Sequence, residues 1–497
     1  MHGQEKSDSP VLPRKSPNNT GRRVTEEMEG RGLAKEKSLQ ADARRTQGRA
    51  SVHSRLERLR QAAQSKKEVK FTALFHHVYD IDMLREAYFR LKREAAPGVD
   101  GETWQHYGES LEDNLQNLAD RLKRGAYRAK PVKRVYIPKA DGRQRPLGVT
   151  ALEDKIVQRS LVAVLNAIYE SEFLGFSYGF RPGRSPHRAL DALSVGLLTK
   201  KVNFVLDADI RGYYEAISHG WLVKFVEHRI GDRRVVRLIQ KWLKAGVLEE
   251  GRWSQPDEGT PQGSSVSPVL SNIYLNHVFD QWVQWWRQRQ ARGEVIVVRW
   301  ADDFIVGFKH RSDAERFHEA LRTRLAKFGL ELHPEKTRLL EFGPYAASNR
   351  RKRGQGKPET FEFLGFTHVC GRTRQGRFTV WRYTARRRLT KKLREVRQEL
   401  RRRWHAPTAD VGAWLRSVVG GHFRYFGVPG NDRALRRFRG QVARSWKRGL
   451  QRRSQRGHVS WSDMRPLIRR WLPLPKAYHP YPLVRFGVIT QGKSPVR

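Results

Sequence analysis

Two segments of the chain are nearly continuous apolar runs that carry aspartates. Residues 202–210 read VNFVLDADI, and residues 294–308 read EVIVVRWADDFIVGF, in which Asp302 and Asp303 join two runs rich in β-branched residues. Such runs favour buried strands, and a tight hairpin would place both carboxylates of the second segment at its tip. Because a buried carboxylate without a partner is costly, these acids constrain how the two strands can be arranged.

Asp207 and Asp209 share one side of the first strand, because alternate residues of a strand face the same way. An acid pair at a turn is usually only turn chemistry. If the two strands are neighbours, however, Asp209, Asp302 and Asp303 converge into one acidic cluster. Asp207 is the weaker candidate, because it lies about 6 to 7 Å further back. Mg²⁺ favours carboxylates combined with substrate phosphates, so the cluster predicts nucleotidyl transfer assisted by two Mg²⁺ ions.

The net charge indicates a partner that carries phosphates. The chain of 497 residues has 97 Lys and Arg against 51 Asp and Glu, a formal net charge of +46. The basic residues are spread along the chain, interleaved with aromatic residues and densest in residues 381–497, which indicates nucleic acid rather than a membrane surface. A single cysteine, Cys370, excludes an internal disulfide and a Cys-based zinc site. With no apolar run long enough to span a bilayer, we expect a soluble cytosolic protein.

The chain shows a change of pattern along its length. Residues 1–65 predict a basic, mostly disordered leader, and helical spacing begins near residue 71. A hairpin is expected around residues 140–142 and a long helix over residues 152–173, followed by an α+β region around an antiparallel sheet. After about residue 380 the pattern is helical, with segments near residues 411–426, 433–450 and 461–472 and one apolar stripe of Leu389, Leu393, Val396, Leu400 and Trp404.

Seven motifs, in this order, resemble those of the group II intron reverse transcriptases: IPKADGRQRPLGV, SYGFRPGRS, VLDADIRGYYEAISH, GTPQGSSVSPVLSNIYL, RWADDFIVGF, GLELHPEKT and FEFLGF. The resemblance covers about residues 80–370, and residues 414–431 are similar to the maturase domain of those proteins. It implies an α+β right-hand polymerase with fingers and palm built on an antiparallel sheet, a helical thumb and a mostly helical maturase domain. The implied boundaries are a leader at 1–65, an N-terminal extension with fingers at 66–200, the palm at 201–375, the thumb start at 376–408 and a thumb/maturase RNA-binding region at 409–497.

The resemblance also implies roles for individual residues. Asp209, Asp302 and Asp303 are the implied catalytic acids and, with the backbone carbonyl of Ile210, the implied ligands of two Mg²⁺ ions. The implied nucleotide-binding residues are Lys139, Arg145, Tyr214 and Gln262, and Tyr214 would favour deoxynucleotides by crowding the sugar 2′ position. The implied template or RNA contacts are Arg181, Arg184, Lys336, Arg386, Arg387, Lys391 and Arg424. From the residues alone, these basic side chains could equally be solvated charges and Tyr214 a core aromatic.

The resulting hypothesis is an RNA-directed DNA polymerase that binds its intron RNA to assist splicing and copies it into DNA during retrohoming. The implied partners are group II intron RNA, a DNA target site with its primer, and dNTPs, in a bacterial cytosolic or nucleoid ribonucleoprotein without membrane; a dimer stays open. Three alternatives are a splicing cofactor with a degenerate polymerase, a retron or phage-defence reverse transcriptase, and a viral RNA-dependent RNA polymerase. The intact acids, the segment 411–431 and Tyr214, respectively, argue against them.

Two features depart from the family pattern. Trp300 stands where the family usually has Tyr, which changes an aromatic beside the acid pair. The expected C-terminal Cys- and His-rich endonuclease motif is also missing, so we expect no cleavage of the second DNA strand by this chain.

Overall fold

The computed structural model describes residues 28–138, 144–254, 258–260, 263–453 and 458–485. Helices are combined with three small sheets, in agreement with the expected α+β class. The N-terminal part is helical and comprises α1 (Met28–Ser65), α2 (Phe75–Val78), α3 (Ile81–Phe89), α4 (Trp104–Glu109) and α5 (Leu111–Lys123).

Helix α1 differs from the expected disordered leader. Val52 and Ala63 are buried, and Leu56 and Leu59 are partly buried against the main core. These positions are three to four residues apart and form one narrow apolar face, which the surrounding charged residues obscure in the sequence. Arg55 adds an ion pair with Asp80 at 2.5 Å. The leader prediction is therefore wrong for residues 46–65, and residues 1–27 lie outside the described part of the chain.

The helical pattern that begins near residue 71 is broken into two short helices. Asp80 separates α2 from α3, because its side chain accepts a hydrogen bond from the backbone N–H of Met83 and caps the second helix. The long helix predicted from residue 152 is α6 (Leu152–Tyr169). Its five predicted apolar positions, Leu152, Ile156, Leu161, Leu165 and Ile168, are all buried.

The predicted hairpin is formed by β1 (Val132–Pro138) and β2 (Gln144–Val149). The two strands are antiparallel, and Ile137 is paired with Arg145. The edge of this sheet is extended by β4 (Val247–Glu249), parallel to β1, and by β5 (Arg252–Ser254). The residues of the hairpin turn, 139–143, lie outside the described part of the chain.

A four-stranded antiparallel sheet forms the centre of the molecule. Its order is β6-β7-β3-β8, built from β3 (Phe204–Asp209), β6 (Val295–Trp300), β7 (Asp303–Phe308) and β8 (Arg338–Glu341). One face of the sheet, with Leu206 and Phe304, belongs to the largest apolar cluster. The other face, with Val205 and Ile305, packs in a second cluster, and Asp207, Asp209 and Asp303 share this face by strand alternation.

Helices cover this sheet and lead into it. They are α7 (Pro186–Thr199), α8 (His219–Arg229), α9 (Arg233–Lys244), α10 (Ser267–Leu275), a π-helix (Asn276–Asp280), α11 (Gln281–Arg289), α12 (Arg311–Ala326) and α13 (Ala346–Lys352). A three-stranded sheet in the order β11-β10-β9 follows, formed by β9 (Phe361–Phe363), β10 (Phe366–Arg372) and β11 (Phe378–Thr384).

The C-terminal part has its own apolar cluster. It comprises α14 (Arg386–Arg402), α15 (Thr408–Phe426), α16 (Asp432–Gln451) and α17 (Trp461–Trp471), close to the predicted segments. Leu389, Leu393, Val396 and Leu400 of the predicted stripe are buried, whereas Trp404 is half-buried. Asn431 joins these helices to the three-stranded sheet, since its side chain donates to Thr384 Oγ1 at 2.8 Å.

Candidate active site

Strand register places Asp209 beside Asp303. Asp209 ends β3 and is paired with Asp303, the first residue of β7. Trp300, the last residue of β6, also pairs with Asp303, so that Ala301 and Asp302 form the two-residue turn of the hairpin. Asp209, Asp302 and Asp303 are all half-buried. The structure therefore brings these carboxylates together at one end of the central sheet.

Asp207 lies two residues further back on the same face and has a different partner. Its Oδ2 accepts a hydrogen bond from Arg338 at 3.2 Å, and Arg338 is also its pairing partner on β8. Burial raises the pKa of Asp207 to about 6. This acid is therefore already paired with a basic side chain of the neighbouring strand.

The carboxylates at the tip lie close together in a half-buried position. Burial raises the pKa of Asp302, and the nearby charge of Asp209 adds to the rise. Burial also raises the pKa of Asp303 well above its usual range, and the charges of Asp207, Asp302 and Asp209 contribute. Desolvation and mutual repulsion both penalise the ionised forms. A cation at this position would relieve both effects.

Lys336 supplies one such cation, in a place that the sequence does not predict. Its Nζ lies 2.5 Å from Asp209 Oδ2. The segment is held in register by backbone hydrogen bonds, because His333 N–H donates to the Asp209 carbonyl at 2.8 Å and Arg211 N–H donates to the Glu331 carbonyl at 2.9 Å. Lys336, expected to contact RNA, thus lies beside the acid cluster, and 54% of its side chain remains exposed.

The donor chemistry of the tip fits a divalent cation. Between the two backbone bonds just described, Ile210 faces Leu332 across an antiparallel bridge, so the Ile210 carbonyl points away from the segment 331–333. Among the described residues, no group of three or more Asp, Glu, His or Cys side chains is arranged to hold a metal as it stands. The pairing of Asp209 with Lys336 is consistent with this finding. A metal would take the place of the ammonium beside Asp209.

The residues expected to bind a nucleotide lie on two sides of the tip. Arg145 of β2 is exposed. Its positive charge partly offsets the rise that burial causes in the pKa of Asp302 and of Tyr214. Tyr214 is half-buried and packs edge-on against Tyr213, with ring centroids 5.3 Å apart. Tyr214 also lines a cleft of about 200 Å³ together with Gly148 and Thr260. Lys139 and Gln262 lie outside the described residues.

Gly263 shows why the loop beside this cleft needs glycine. Its φ is +115°, a conformation that residues with a Cβ rarely adopt. A Cβ at this position would also lie 2.5 Å from the Gly148 carbonyl oxygen. The loop therefore runs directly against β2, next to the cleft.

The expected RNA contact of Arg181 is contradicted by its burial. The Arg181 residue is 5% exposed, and its guanidinium donates to both carboxylate oxygens of Glu170, at 3.0 and 2.7 Å. It also donates to the carbonyls of Leu174 and Ser177. These bonds hold the loop 174–181 in shape and leave the side chain no room for a phosphate.

Arg184 is only partly available for a phosphate. It donates to the Gly175 carbonyl at 3.2 Å, and its guanidinium lies 5.2 Å from the centroid of the Tyr178 ring. Burial lowers the pKa of Arg184. Both arginines of this motif therefore use their guanidinium groups mainly for contacts within the loop, and they present little positive charge to solvent.

The basic residues expected in the C-terminal region are on the surface. Arg386, Arg387, Lys391 and Arg424 are all exposed. Arg387 makes an ion pair of 3.0 Å with Glu362, but its side chain remains 84% exposed. These side chains are free to meet a phosphate backbone.

The structure adds a buried ion pair that the motifs do not indicate. Arg299, one residue before Trp300, is paired with Asp280 of the π-helix, and both side chains are 0% exposed. The sequence signal was available, because Arg299 interrupts the apolar run VIVVRW. Its partner could not be read from that run.

Sequence comparison relates this chain to known proteins over the region that contains the acids. Residues 137–368, which include the three acids, match the family described as reverse transcriptase (RNA-dependent DNA polymerase). Protein YkfC of Escherichia coli K12 is 34% identical over 315 residues, which are 57% of this chain and 78% of that protein. Group II intron-encoded protein LtrA of Lactococcus lactis subsp. cremoris is 34% identical over 232 residues, 46% of this chain and 38% of LtrA.

A third relative extends the comparison to plants. Nuclear intron maturase 2, mitochondrial, of Arabidopsis thaliana is 29% identical over 102 residues, 20% of this chain and 13% of that protein.

The chain therefore belongs to the reverse transcriptases, polymerases that make DNA on an RNA template. Within them it belongs to the group II intron reverse transcriptase/maturase family. The matched part spans well under half of LtrA and of the plant maturase.

Among the described residues, none of the helices combines the length and the apolar character that crossing a membrane requires.

Proposed function

We propose that this protein is the RNA-directed DNA polymerase of a group II intron, and that it also binds the intron RNA and promotes its splicing. The observation that carries the polymerase activity is the register that pairs Asp209 with Asp303 beside Asp302 at the hairpin turn. These acids fall within the segment that matches the reverse transcriptase family. In this proposal the central sheet is the palm, the β1–β2 hairpin belongs to the fingers and α14 begins the thumb.

The proposed reaction is nucleotidyl transfer with two Mg²⁺ ions. Asp209, Asp302, Asp303 and the Ile210 carbonyl would hold the ions, which activate a primer 3′ hydroxyl and neutralise charge on the departing pyrophosphate. Arg145, whose positive charge lowers the pKa of Asp302, would pair with a triphosphate oxygen. Lys139 and Gln262 are assigned to the same nucleotide.

Tyr214 is proposed to select deoxynucleotides. Its position is constrained on two sides, since its ring packs on Tyr213 and its backbone carbonyl accepts a hydrogen bond from Thr260 at 2.7 Å. A ring held in this way would occupy the space that the 2′ hydroxyl of a ribonucleotide requires.

RNA binding is proposed for the exposed basic side chains of the C-terminal helices and the neighbouring surface. Arg386, Arg387, Lys391 and Arg424 present exposed charges that can meet phosphates, and the net charge of +46 attracts nucleic acid over the whole surface. We propose that the protein holds the folded intron RNA through these contacts and later copies it from a primer at the DNA target site during retrohoming.

Primer extension tests the polymerase half of the proposal. Purified protein is given an RNA template, a DNA primer and either dNTPs or NTPs, with Mg²⁺ present or chelated. The expected result is extension with dNTPs that requires Mg²⁺ and is lost in the Asp209→Asn variant. Asp207→Asn is the matched control, because Asp207 lies on the same face of the same strand and is also paired with a basic side chain, Arg338, but lies two residues further from the tip.

The two variants separate the competing explanations. We expect the Asp207→Asn variant to retain extension within about tenfold of wild type, because its distance from the tip is about 7 Å along the strand. Equal loss in both variants would show that the whole strand, not the tip, is being perturbed. Wild-type protein that binds RNA tightly and extends no primer would instead favour a splicing cofactor without polymerase activity.

A further inference from the structure

The buried pair of Arg299 and Asp280 is connected to the turn that carries Asp302. Arg299 Nε donates to Asp280 Oδ1 at 2.7 Å, and a terminal nitrogen donates to Asp280 Oδ2 at 2.5 Å. This is the two-pronged geometry that a guanidinium and a carboxylate form at their best. Because both side chains are fully buried, water competes with neither bond.

The remaining donors of Arg299 reach three other elements. The guanidinium donates to the Ala301 carbonyl at 2.9 Å, to Asn272 Oδ1 at 3.2 Å and to Ser177 Oγ at 2.7 Å. With the two bonds to Asp280, these contacts match the five N–H donors that a guanidinium carries. The side chain therefore has one fixed position rather than a range of rotamers.

The turn that Arg299 contacts is conformationally strained. Ala301 has φ of +56°, in the left-handed region that residues with a Cβ rarely adopt. Arg299 fixes the carbonyl of this residue, and Gly179 supports its other side, since a Cβ on Gly179 would lie 2.4 Å from the Ala301 nitrogen. Asn272 donates to the Gly179 carbonyl at 2.8 Å and so closes the ring of contacts.

The π-helix explains how Asn272 and Asp280 both reach Arg299. In an uninterrupted α-helix, two side chains eight residues apart differ by about 80° around the axis. The wider turn, in which Gln281 N–H donates to the Asn276 carbonyl, reduces that angle and directs both side chains to the same buried arginine. Such turns are frequent at functional sites.

The composition of this network argues for geometry rather than stability. A buried ion pair can often be replaced by apolar side chains of similar size without loss of stability, because desolvation cancels most of the Coulomb attraction. An apolar pair, however, cannot hold the Ala301 carbonyl. The contribution specific to Arg299 is the location of the turn and hence of Asp302 and Asp303.

We propose that Arg299, oriented by Asp280 and Asn272, is a positioning residue that holds the strained Ala301–Asp302 turn in the geometry that polymerisation requires. The inference rests on the proposed polymerase function of the three acids. Arg299 itself touches neither substrate nor metal, because it is buried beneath the turn.

The test is the Arg299→Met/Asp280→Leu double variant, which leaves no unpaired charge. We expect it to keep its melting temperature and RNA affinity and to lose about 100-fold in kcat for extension, with a smaller change in the KM for dNTP. Arg382→Met/Asp191→Leu/Arg485→Met is the control: Asp191 pairs with Arg382, at 3.3 Å, and with Arg485, so the triple variant also leaves no unpaired charge, and these ion pairs do not include the turn. We expect this control to lose little in kcat.

Hydrogen exchange separates failure of this inference from failure of the proposed function. Amides 300–303 should exchange at least about tenfold faster in the double variant, while the other amides of β3 and β7 stay protected, whether or not wild type extends a primer. Unchanged exchange and kcat within threefold of wild type would overturn the proposal. A loss of kcat matched by loss of RNA binding and melting temperature would also overturn it, since the pair would then be a general scaffold.

Asn272→Leu provides a second variant in case the double variant does not fold. It removes the hydrogen bonds to Arg299 and to the Gly179 carbonyl, and Arg299 stays paired with Asp280, so no buried charge is left unpaired. We expect about tenfold lower kcat with faster exchange of amides 300–303. Unchanged exchange and unchanged kcat in this folded variant would contradict the positioning role.

Discussion

The β6–β7 hairpin and helix α14 carry their charged groups in opposite ways. At the hairpin, the positions of three carboxylates are set by strand register and one two-residue turn. On α14, basic side chains cover the exposed surface opposite a buried apolar stripe. A register-built site has no spare members, whereas a charged helix surface has many. The acidic site should therefore fail at one substitution, and the basic surface should weaken step by step.

The largest effect is expected for Asp302→Asn, which removes one negative charge at the turn and keeps the side-chain volume. Primer extension should fall by at least about 1,000-fold, since residues that act as a unit in catalysis cannot replace one another. RNA affinity, measured by filter binding in the same buffer, should stay within about twofold of wild type, because Asp302 presents no positive charge to RNA. Parallel losses of extension and RNA affinity would end the distinction between the two regions.

The next effect concerns stability within α14. Leu393→Ala removes a residue that is 9% exposed and packed in the C-terminal cluster, so the free energy of unfolding should fall by about 2 to 5 kcal/mol. Lys391→Ala, two positions away and exposed, should change it by less than about 0.5 kcal/mol. Denaturant titration measures both. Similar values for the two variants would contradict the division of this helix into a structural stripe and a free basic surface.

A smaller, graded effect is expected when charges are removed from α14. Replacing Arg386, Arg387, Arg388 and Lys391 with Gln should lower RNA affinity about 10- to 100-fold at moderate salt and make its salt dependence less steep. Extension on a short template at saturating substrate should persist. The same number of charges can be removed from exposed positions on or next to α12, at Arg311, Arg316, Arg322 and Lys327. Equal losses in both variants would mean that RNA responds to net charge alone.

The same contrast explains what the sequence could predict. Alternation along β3 and helical spacing along α14 are local properties, so the sequence showed which face Asp209 occupies and which of Leu389, Leu393, Val396 and Leu400 are buried. Partner choice is not local. Arg181 reads as a surface arginine in SYGFRPGRS, and only the fold brings Glu170 within 2.7 Å of it.

The contacts beneath the hairpin turn show the same limit. Arg299 stands out in an apolar strand, but nothing near it in the sequence indicates Asp280, because the contact depends on the π-helix that carries Asp280 and on the fold that brings this helix to β6. The narrow apolar face of α1 is hard to recognise in the sequence for a related reason. Its few apolar positions are buried only because α3 and α6 pack against them, and the sequence of α1 alone does not show this packing.

Lys336 tests the boundary between the two regions, since it is a basic residue that the structure places among the acids. Lys336→Met removes the ammonium from Asp209 and keeps a similar aliphatic length. In the proposed mechanism the ammonium would compete with a metal for the same carboxylate, so the Mg²⁺ concentration for half-maximal extension should fall. The Lys336 side chain is 54% exposed, and an exposed ion pair contributes about 0.2 to 1 kcal/mol, which limits the fall to about fivefold.

Arg338→Met is the control for Lys336→Met, because Arg338 pairs with Asp207 rather than with the tip. It should leave the Mg²⁺ requirement unchanged, and neither variant should alter RNA affinity by more than about twofold. A higher Mg²⁺ requirement in Lys336→Met would mean that the ammonium assists the acids instead of competing for them. A large loss of RNA affinity with an unchanged Mg²⁺ requirement would mean that Lys336 contacts RNA. In that case Asp209 would lose its ion pair with Lys336 when RNA binds.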